Sequence, residues 1–319
     1  MQTLLLTGGT GFIGQALIKR LLRDGCYQPV AAVRRPPADV PSGAHSVQVD
    51  ELSENTDWAA ALVGAKVVIH AAARAHVLNE TADDPLAEFR AVNVSGTLAL
   101  AQQAAQAGVK RFIFISSIGV NGNQSSHPFT VDDLPNPTEP YAVSKYEAEL
   151  GLSQLSAKTG MEVVIIRPPL VYGPNAPGNF GRLIKAVSKG LPLPLGAIRN
   201  QRSLVALDNL VDLIVTCIDH PAAANQTFLV SDGEDLSTTE LLRRMAAALG
   251  KPARLLPVPS WLLETAATML GKQALSQRLC GSLQVDIGKT RELLDWTPPV
   301  SVDEALRKTA KHFLEQQSK

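Results

Sequence analysis

The sequence predicts an α/β fold, a doubly wound parallel sheet followed by a smaller C-terminal lobe. Three observations predict it. Short apolar runs recur along the first half of the chain with helical patterns between them, a glycine turn joins the first run to the first helix, and the texture changes after Arg167. Strands that alternate with helices imply crossover connections, which set the strands parallel and cover both faces of one sheet.

The elements follow in order. Leu4, Leu5 and Leu6 read as a buried strand, whereas Phe12, Ile13, Ala16, Leu17, Leu21 and Leu22 recur at the spacing of one helical face. Further strands are expected at 30–33, 47–49, 67–69, 112–115 and 163–166, and helices at 58–62, 89–107 and 141–158, the last stopped by Gly160. After Arg167, "RPPLVYGPNAPGNFG" is rich in proline and glycine and the alternation loses its regularity. Residues 1–168 are therefore expected to form a dinucleotide-binding domain and 169–319 mainly a substrate-binding lobe, with the stretch at about 203–222 passing back to the sheet.

The glycines carry the first chemical reading. In "TGGTGFIG", Gly8 permits a tight turn, Gly11 leaves room for a phosphate beside the backbone, and Gly14 lets helix and strand pack closely. The free N–H groups at the helix start, around Phe12 and Ile13, then face the phosphates of a dinucleotide. A Rossmann-type sheet binds such a ligand beyond the carboxyl ends of its strands.

Bulk composition narrows the partners. The 319 residues carry 30 basic and 30 acidic side chains, a net charge of zero that points to neither nucleic acid nor an anionic membrane. Cys26, Cys217 and Cys280 are odd in number, scattered, and without metal-ligand spacing, so no metal is expected and a reducing cytoplasmic setting fits. No basic segment precedes the first apolar run, and no stretch is long and apolar enough to span a bilayer, so neither a signal peptide nor membrane insertion is expected.

Two residues in "PYAVSKYEAE" suggest proton transfer. Tyr141 and Lys145 lie one helical turn apart on one face, where the lysine ammonium favours the phenolate of a group whose ordinary pKa is about 10. Such a phenol takes or gives the proton of a sugar or alcohol hydroxyl. Ser116 and Ser117 follow a strand at its carboxyl end, where a hydroxyl hydrogen-bonds the same substrate oxygen or, alternatively, caps the next turn.

Taken together, "TGGTGFIG", "HAAA" at 70–73, "NVSGT" at 93–97, "SS" at 116–117 and "YAVSK" at 141–145 occur in the order shown by extended short-chain dehydrogenases/reductases. The chain resembles their UDP-glucose 4-epimerase-like branch over nearly its whole length, down to "DIGKTRELLDWTPPVSVDEAL". The resemblance implies Ser117 as the catalytic serine, Tyr141 as acid/base, and Lys145 as the residue that holds the nicotinamide ribose and tunes the tyrosine. It places Asp50 and Glu51 near the adenine, Ala71 and Ala72 beside the cofactor, and Asn93 as an organiser of helix and site, with His70 a buried strand-end residue. On the substrate side it implies Asn179 and Arg202 at the nucleotide diphosphate, Arg278 as a further contact, and Tyr172 with Gly173 as a substrate-side turn. It also implies a homodimer through the helices of "LAEFRAVNVSGTLALAQQAAQAG" and "YAVSKYEAELGLSQLSAKTG".

Departures from the family pattern shape the functional reading. Arg34 and Arg35 stand where NAD-preferring folds carry an acid, which leaves NAD or NADP open and tilts the reading toward NADP(H). Ile118 and Gly119 after Ser117 cannot shuttle the proton of a dehydration, Asn121 replaces a frequent tyrosine in "VNG", and Leu170 stands where some 4-epimerases have asparagine. The leading implication is epimerisation at C4 of a UDP-hexose or UDP-N-acetylhexosamine through a 4-keto intermediate. An NAD(P)H-dependent UDP-4-keto-6-deoxyhexosamine 4-reductase of surface-polysaccharide synthesis and a non-catalytic dinucleotide sensor stand as alternatives.

Overall fold

The computed structural model describes residues 1–35, 40–75, 84–271 and 273–317. The first half supplies β1 (Gln2–Thr7), β2 (Tyr27–Val33), β3 (His45–Gln48), β4 (Val67–His70), β5 (Arg111–Ile115) and β6 (Glu162–Arg167). Beyond these come β7 (Leu170–Tyr172), β8 (Arg202–Ala206), β9 (Thr227–Leu229) and β10 (Asp235–Leu236). A seven-stranded parallel sheet runs β3-β2-β1-β4-β5-β6-β9, and β10-β8-β7 form a separate sheet of three.

Strand residues alternate between two cores. Leu4, Leu6, Ile113, Ile115, Val164 and Ile166 enter one, while Leu5, Phe112, Phe114, Val163 and Ile165 enter the other. Both faces are covered, which is why the strands read in sequence as unbroken apolar runs rather than alternating ones. On the first face lie α1 (Phe12–Asp24) and α7 (Leu207–Asp219), packed against each other, and on the second α4 (Thr97–Gln106) and α5 (Pro140–Thr159). The remaining elements named below are α2 (Ala59–Leu62), α3 (Pro85–Arg90), α6 (Gly178–Ser188), α8 (Thr238–Ala248), α9 (Ser260–Met269) and α10 (Gln273–Cys280). Around α6, α8 and the second sheet a third core forms from side chains such as Phe180, Leu204, Leu242 and Met245.

Two features depart from the element pattern read in sequence. The helix expected over 89–107 is three pieces: α3, a π-helical turn (Ala91–Gly96) and α4. Widened turns of this kind mark functional sites, and this one sits Asn93 inward at 1% exposure. Within the stretch 203–222, α7 packs on the large sheet while its preceding strand β8 belongs to the small one, and β9 then adds the seventh strand.

The order β2-β1-β4 contains the reversal of winding, so a crevice opens between the carboxyl ends of β1 and β4. The glycine turn, Ala71, the segment after β5 and the first turn of α5 all lie at this end of the sheet.

Candidate active site

The glycine turn closes on itself, with the Gly11 N–H donating to the Gly8 carbonyl at 2.9 Å. Gly8 has φ +72° and lies so close to the end of β4 that a Cβ there meets the Ala72 nitrogen at 2.8 Å and the Ala71 carbonyl carbon at 2.9 Å. A Cβ on Gly14 meets the Gly8 oxygen at 2.1 Å, so the start of α1 rests directly on the turn. Gly11 caps α1 with no side-chain bond, which leaves the first N–H groups, those of Phe12 and Ile13 among them, free for an anion. The geometry fits a pyrophosphate: a bare backbone cradle and a helix start without a side-chain cap.

At the crevice floor, His70 is fully buried between two hydroxyls, Thr7 Oγ1 at 2.7 Å from Nδ1 and Thr97 Oγ1 at 2.9 Å from Nε2. Thr7 Oγ1 also accepts the Ala72 N–H at 3.2 Å, and the neutral imidazole donates through one of its two nitrogens and accepts at the other. Burial, then the charge of Lys145, pushes the imidazole down to about 3, and it stays neutral. His70 is a tie between β1, β4 and α4. Asn93 is a second tie: its Oδ1 accepts the Arg74 N–H at 2.8 Å, and its Nδ2 donates to the Arg74 carbonyl and to Ser144 Oγ at 3.1 and 3.0 Å.

The reacting end is built on α5. Pro140 opens the helix after Glu139 and Gly160 ends it in a left-handed turn, while Ala142, Lys145, Glu149 and Leu152 face the sheet. The Lys145 ammonium is 1% exposed, donates to the Ile115 carbonyl at 2.9 Å, and lies 4.3 Å from the Phe114 ring centre and 6.0 Å from that of Tyr141. Burial drives it down to about 7, with the Glu149 carboxylate working against the fall. The Tyr141 ring meets Phe89 edge-on with centres 6.0 Å apart, and burial pushes its phenol up to about 12. Desolvation is the cause of that rise, while Nζ is hydrogen-bonded to the Ile115 carbonyl.

Ser117 Oγ accepts the Gly119 N–H at 3.1 Å, capping a 3-10 turn (Ile118–Val120). A Cβ on Gly119 would sit 3.3 Å from that Oγ and 3.1 Å from the Ala142 Cβ, so Gly119 packs between the Ser117 hydroxyl and the first turn of α5. The capping and substrate-facing roles are compatible, since accepting from Gly119 leaves the Ser117 proton free to donate.

The remaining sequence candidates separate. Arg202 is half-buried and donates through Nη1 to the Gly281 carbonyl at 3.0 Å; burial and then the nearby Arg278 lower its pKa. Arg278 is exposed and pairs with Glu139, the residue capping α5, at 3.1 Å, which sets α10 at the rim of the site. The two guanidiniums lie near enough for their charges to oppose each other. Asn179 lies half-buried in the first turn of α6, and Asp50 is exposed just past the carboxyl end of β3. Tyr172 is corrected: its side chain has 0% exposure, stacks near Phe180 in the third core, and donates to Asp232 at 2.8 Å, so it offers no surface to a substrate. Arg34 and Arg35 are exposed, and Arg34 lies 3.6 Å from Glu51, a partner that answers its charge.

Sequence reasoning missed the buried polar cluster behind these residues. Glu149 accepts from Ser116 Oγ and from the Arg167 guanidinium, whose Nη1 donates to Asn121 Oδ1 at 3.0 Å. The signal was present in "KYEAE", where Glu149 stands one turn beyond Lys145 on the same face. Asn121, which stands where the family often has tyrosine, is 2% exposed and bridges Arg167 to the Thr130 carbonyl.

Comparison with known proteins agrees with this geometry. The chain is 49% identical over 317 residues to a UDP-glucose 4-epimerase of Vibrio cholerae, covering 98% of this chain and 96% of that protein. Among solved structures, a UDP-N-acetylglucosamine 4-epimerase from Bacillus cereus superposes with a TM-score of 0.81 at 21% identity, over 99% of this chain and 100% of that one. A UDP-glucuronic acid 4-epimerase from Bacillus cereus, in complex with UDP-glucuronic acid and NAD, gives 0.80 at 23% identity, over 99% and 100%. At such identities the structural matches establish the shared fold. The tilt toward NADP(H) finds no support, since the matching family is described by NAD and Arg34 is engaged by Glu51. The profile of that family matches residues 4–231, and the chain belongs to the NAD dependent epimerase/dehydratase family.

Proposed function

We propose that the protein is an NAD-dependent 4-epimerase of a UDP-hexose, with UDP-glucose and UDP-galactose as the leading substrate pair. The observation that carries this reading is the near full-length match, at 49% identity, to a UDP-glucose 4-epimerase. The same match makes a 4-epimerase preferable to the 4-ketoreductase and to the non-catalytic sensor.

In this reading the glycine turn and the start of α1 hold the pyrophosphate of NAD, Asp50 lies toward the adenine, and Ala71, Ala72 and Asn93 shape the crevice. Lys145 holds the nicotinamide ribose. A bound oxidised nicotinamide supplies a reversible hydride acceptor and a positive charge beside Tyr141. Tyr141 takes the proton of the sugar C4 hydroxyl and returns it, and Ser117 donates a hydrogen bond to the same oxygen, which stabilises it as charge develops. Arg202 and Arg278 bind the diphosphate, for which a planar two-pronged donor is suited, and Asn179 adds a contact. The outer faces of α4 and α5, where Leu98 packs on Gly151 and Leu150 is 46% exposed, are assigned to a homodimer interface.

The test is direct. Purified protein supplied with NAD and UDP-glucose, without added reductant, should produce UDP-galactose by proton NMR. Absence of a C4 epimer from both UDP-glucose and UDP-N-acetylglucosamine overturns the reading.

A further inference from the structure

We infer that the buried Glu149–Arg167 pair is a positioning device for the reaction, gripping the Ser117 turn on both sides and setting a carboxylate one helical turn from Lys145. The inference rests on the epimerase reading for its kinetic arm alone. Glu149 and Arg167 are 3% and 5% exposed, and Arg167 engages the carboxylate through both Nε and Nη2, at 3.0 and 2.5 Å. A two-pronged pair sealed from water fixes direction as well as distance.

The grip on the turn is visible in the bonds. Ser116 Oγ donates to Glu149 immediately before Ser117, and Asn121 Oδ1 accepts from Arg167 Nη1 at 3.0 Å four residues after it. The backbone adds two more ties on either side of Arg167: Ser116 N–H to the Ile166 carbonyl at 2.8 Å and Ile118 N–H to the Pro168 carbonyl at 3.0 Å. Ser117 is thus suspended between two points of a single guanidinium–carboxylate unit. A hydroxyl that must meet one oxygen of a sugar within tenths of an ångström gains from such a frame.

The grip on Lys145 is electrostatic. The groups that face it are Tyr141 and Glu149 from α5, His70 from β4, and Arg167 from β6 through Glu149; β5 offers only the Ile115 carbonyl and the Phe114 ring. Tyr141 and His70 are uncharged at neutral pH, so Glu149 is the anion in this set. Its charge opposes the desolvation that strips Lys145 of its proton.

Two variants test the inference. Glu149→Gln keeps the shape and an acceptor but removes the charge; kcat is expected to fall on the order of 100-fold with KM little changed. The alkaline limb of its kcat profile should move to lower pH, and the Lys145 resonance in a carbon-13 lysine NMR titration should show a lower midpoint. Asn121→Ser releases the far side of the turn and leaves the ion pair in place; kcat should fall by roughly tenfold with the pH limb unmoved. A purely structural role lowers the folded fraction and leaves the pH limb, KM and the lysine midpoint where they are. An unmoved midpoint in Glu149→Gln overturns the electrostatic arm, and wild-type kcat in Asn121→Ser overturns the positional arm, including when Glu149→Gln does not fold. If the wild type shows no epimerisation while the midpoint still moves, the reaction assignment has failed and the electrostatic arm stands.

Discussion

The Lys145 ammonium donates to the Ile115 carbonyl at 2.9 Å and lies 6.0 Å from the centre of the Tyr141 ring. The lysine therefore binds the strand end and acts on the phenol through space. With Tyr141 pushed up to about 12 by burial, the free protein holds the phenol protonated at neutral pH. Tyr141→Phe removes the proton carrier and little volume, so turnover is expected to fall by about 100- to 10,000-fold while NAD binding, read by calorimetry, stays near wild type. Retained turnover removes Tyr141 from the acid/base role.

Lys145 makes a separate prediction about stability. Its pKa falls from 10.5 to about 7 on folding, chiefly through burial, so between those values the unfolded chain binds the extra proton. Stability from this group consequently rises with pH through that window, and below about 7 the full penalty of a buried ammonium is present. Lys145→Met should melt above wild type at pH 6, with the gap closing toward pH 10, and should be inactive. A melting difference that is flat across this range rejects the depressed lysine.

Gly8→Ala tests the cradle. The new methyl forces φ +72° on a residue that avoids it and comes within 2.9 Å of the Ala71–Ala72 peptide. A stability loss of about 1–3 kcal/mol is expected from overpacking, with NAD affinity falling more than UDP-sugar affinity. Calorimetric titration with each ligand separates the two, and equal losses argue against a local role for the turn.

The fold was legible because its chemistry is repetitive. Leu4 to Leu6, the run at 112–115 and the run at 163–166 are buried on both faces, and burial on both faces leaves an apolar run in any sequence. Gly8 and Gly14 were equally readable, since a Cβ at either meets neighbouring backbone at under 3.0 Å. The face of α5 was not, because periodicity detects apolar stripes and the buried stripe here carries Ser144, Lys145 and Glu149. The π-helical turn at Asn93 was hidden for a related reason: its extra residue follows from tertiary bonds to Arg74 and Ser144, which local pattern does not encode. Tyr172 misled because its neighbour Gly173 and Pro174 mark a turn, while the side chain one position earlier points into a core.

In the proposed diphosphate site Arg202 and Arg278 are unequally placed. Arg202 is half-buried, anchored on Gly281 and disfavoured as a cation by burial and then by Arg278, a cost that a diphosphate bound there would offset. Arg278 is exposed and already neutralised in part by Glu139. Arg202→Gln should raise KM for the UDP-sugar by about 10- to 100-fold, the equivalent of one lost charge-assisted bond, whereas Arg278→Gln should cost only a few-fold. Steady-state kinetics at two salt concentrations checks the order, and the reverse ranking removes Arg202 from the diphosphate site.

Tyr172→Phe separates a core residue from a substrate residue. The Tyr172 hydroxyl donates at 2.8 Å to Asp232, whose other oxygen accepts the Ala206 N–H and Asn209 Nδ2 at 2.7 Å each. Asn209 in turn holds the Val300 peptide through two bonds of 2.8 and 2.9 Å, so the network joins β7, β8, α7 and the C-terminal segment. Burial raises the Asp232 pKa and three hydrogen bonds oppose the rise. Deleting the phenol oxygen leaves a buried carboxylate oxygen without its donor, a loss of about 1–3 kcal/mol in denaturant unfolding. The carboxylate, raised further, takes up its proton more readily in the folded chain than in the unfolded one, so the stability gap to wild type should narrow as the pH falls. At neutral pH and below its melting temperature, kcat and KM should match wild type; a KM change with stability intact returns Tyr172 to the substrate.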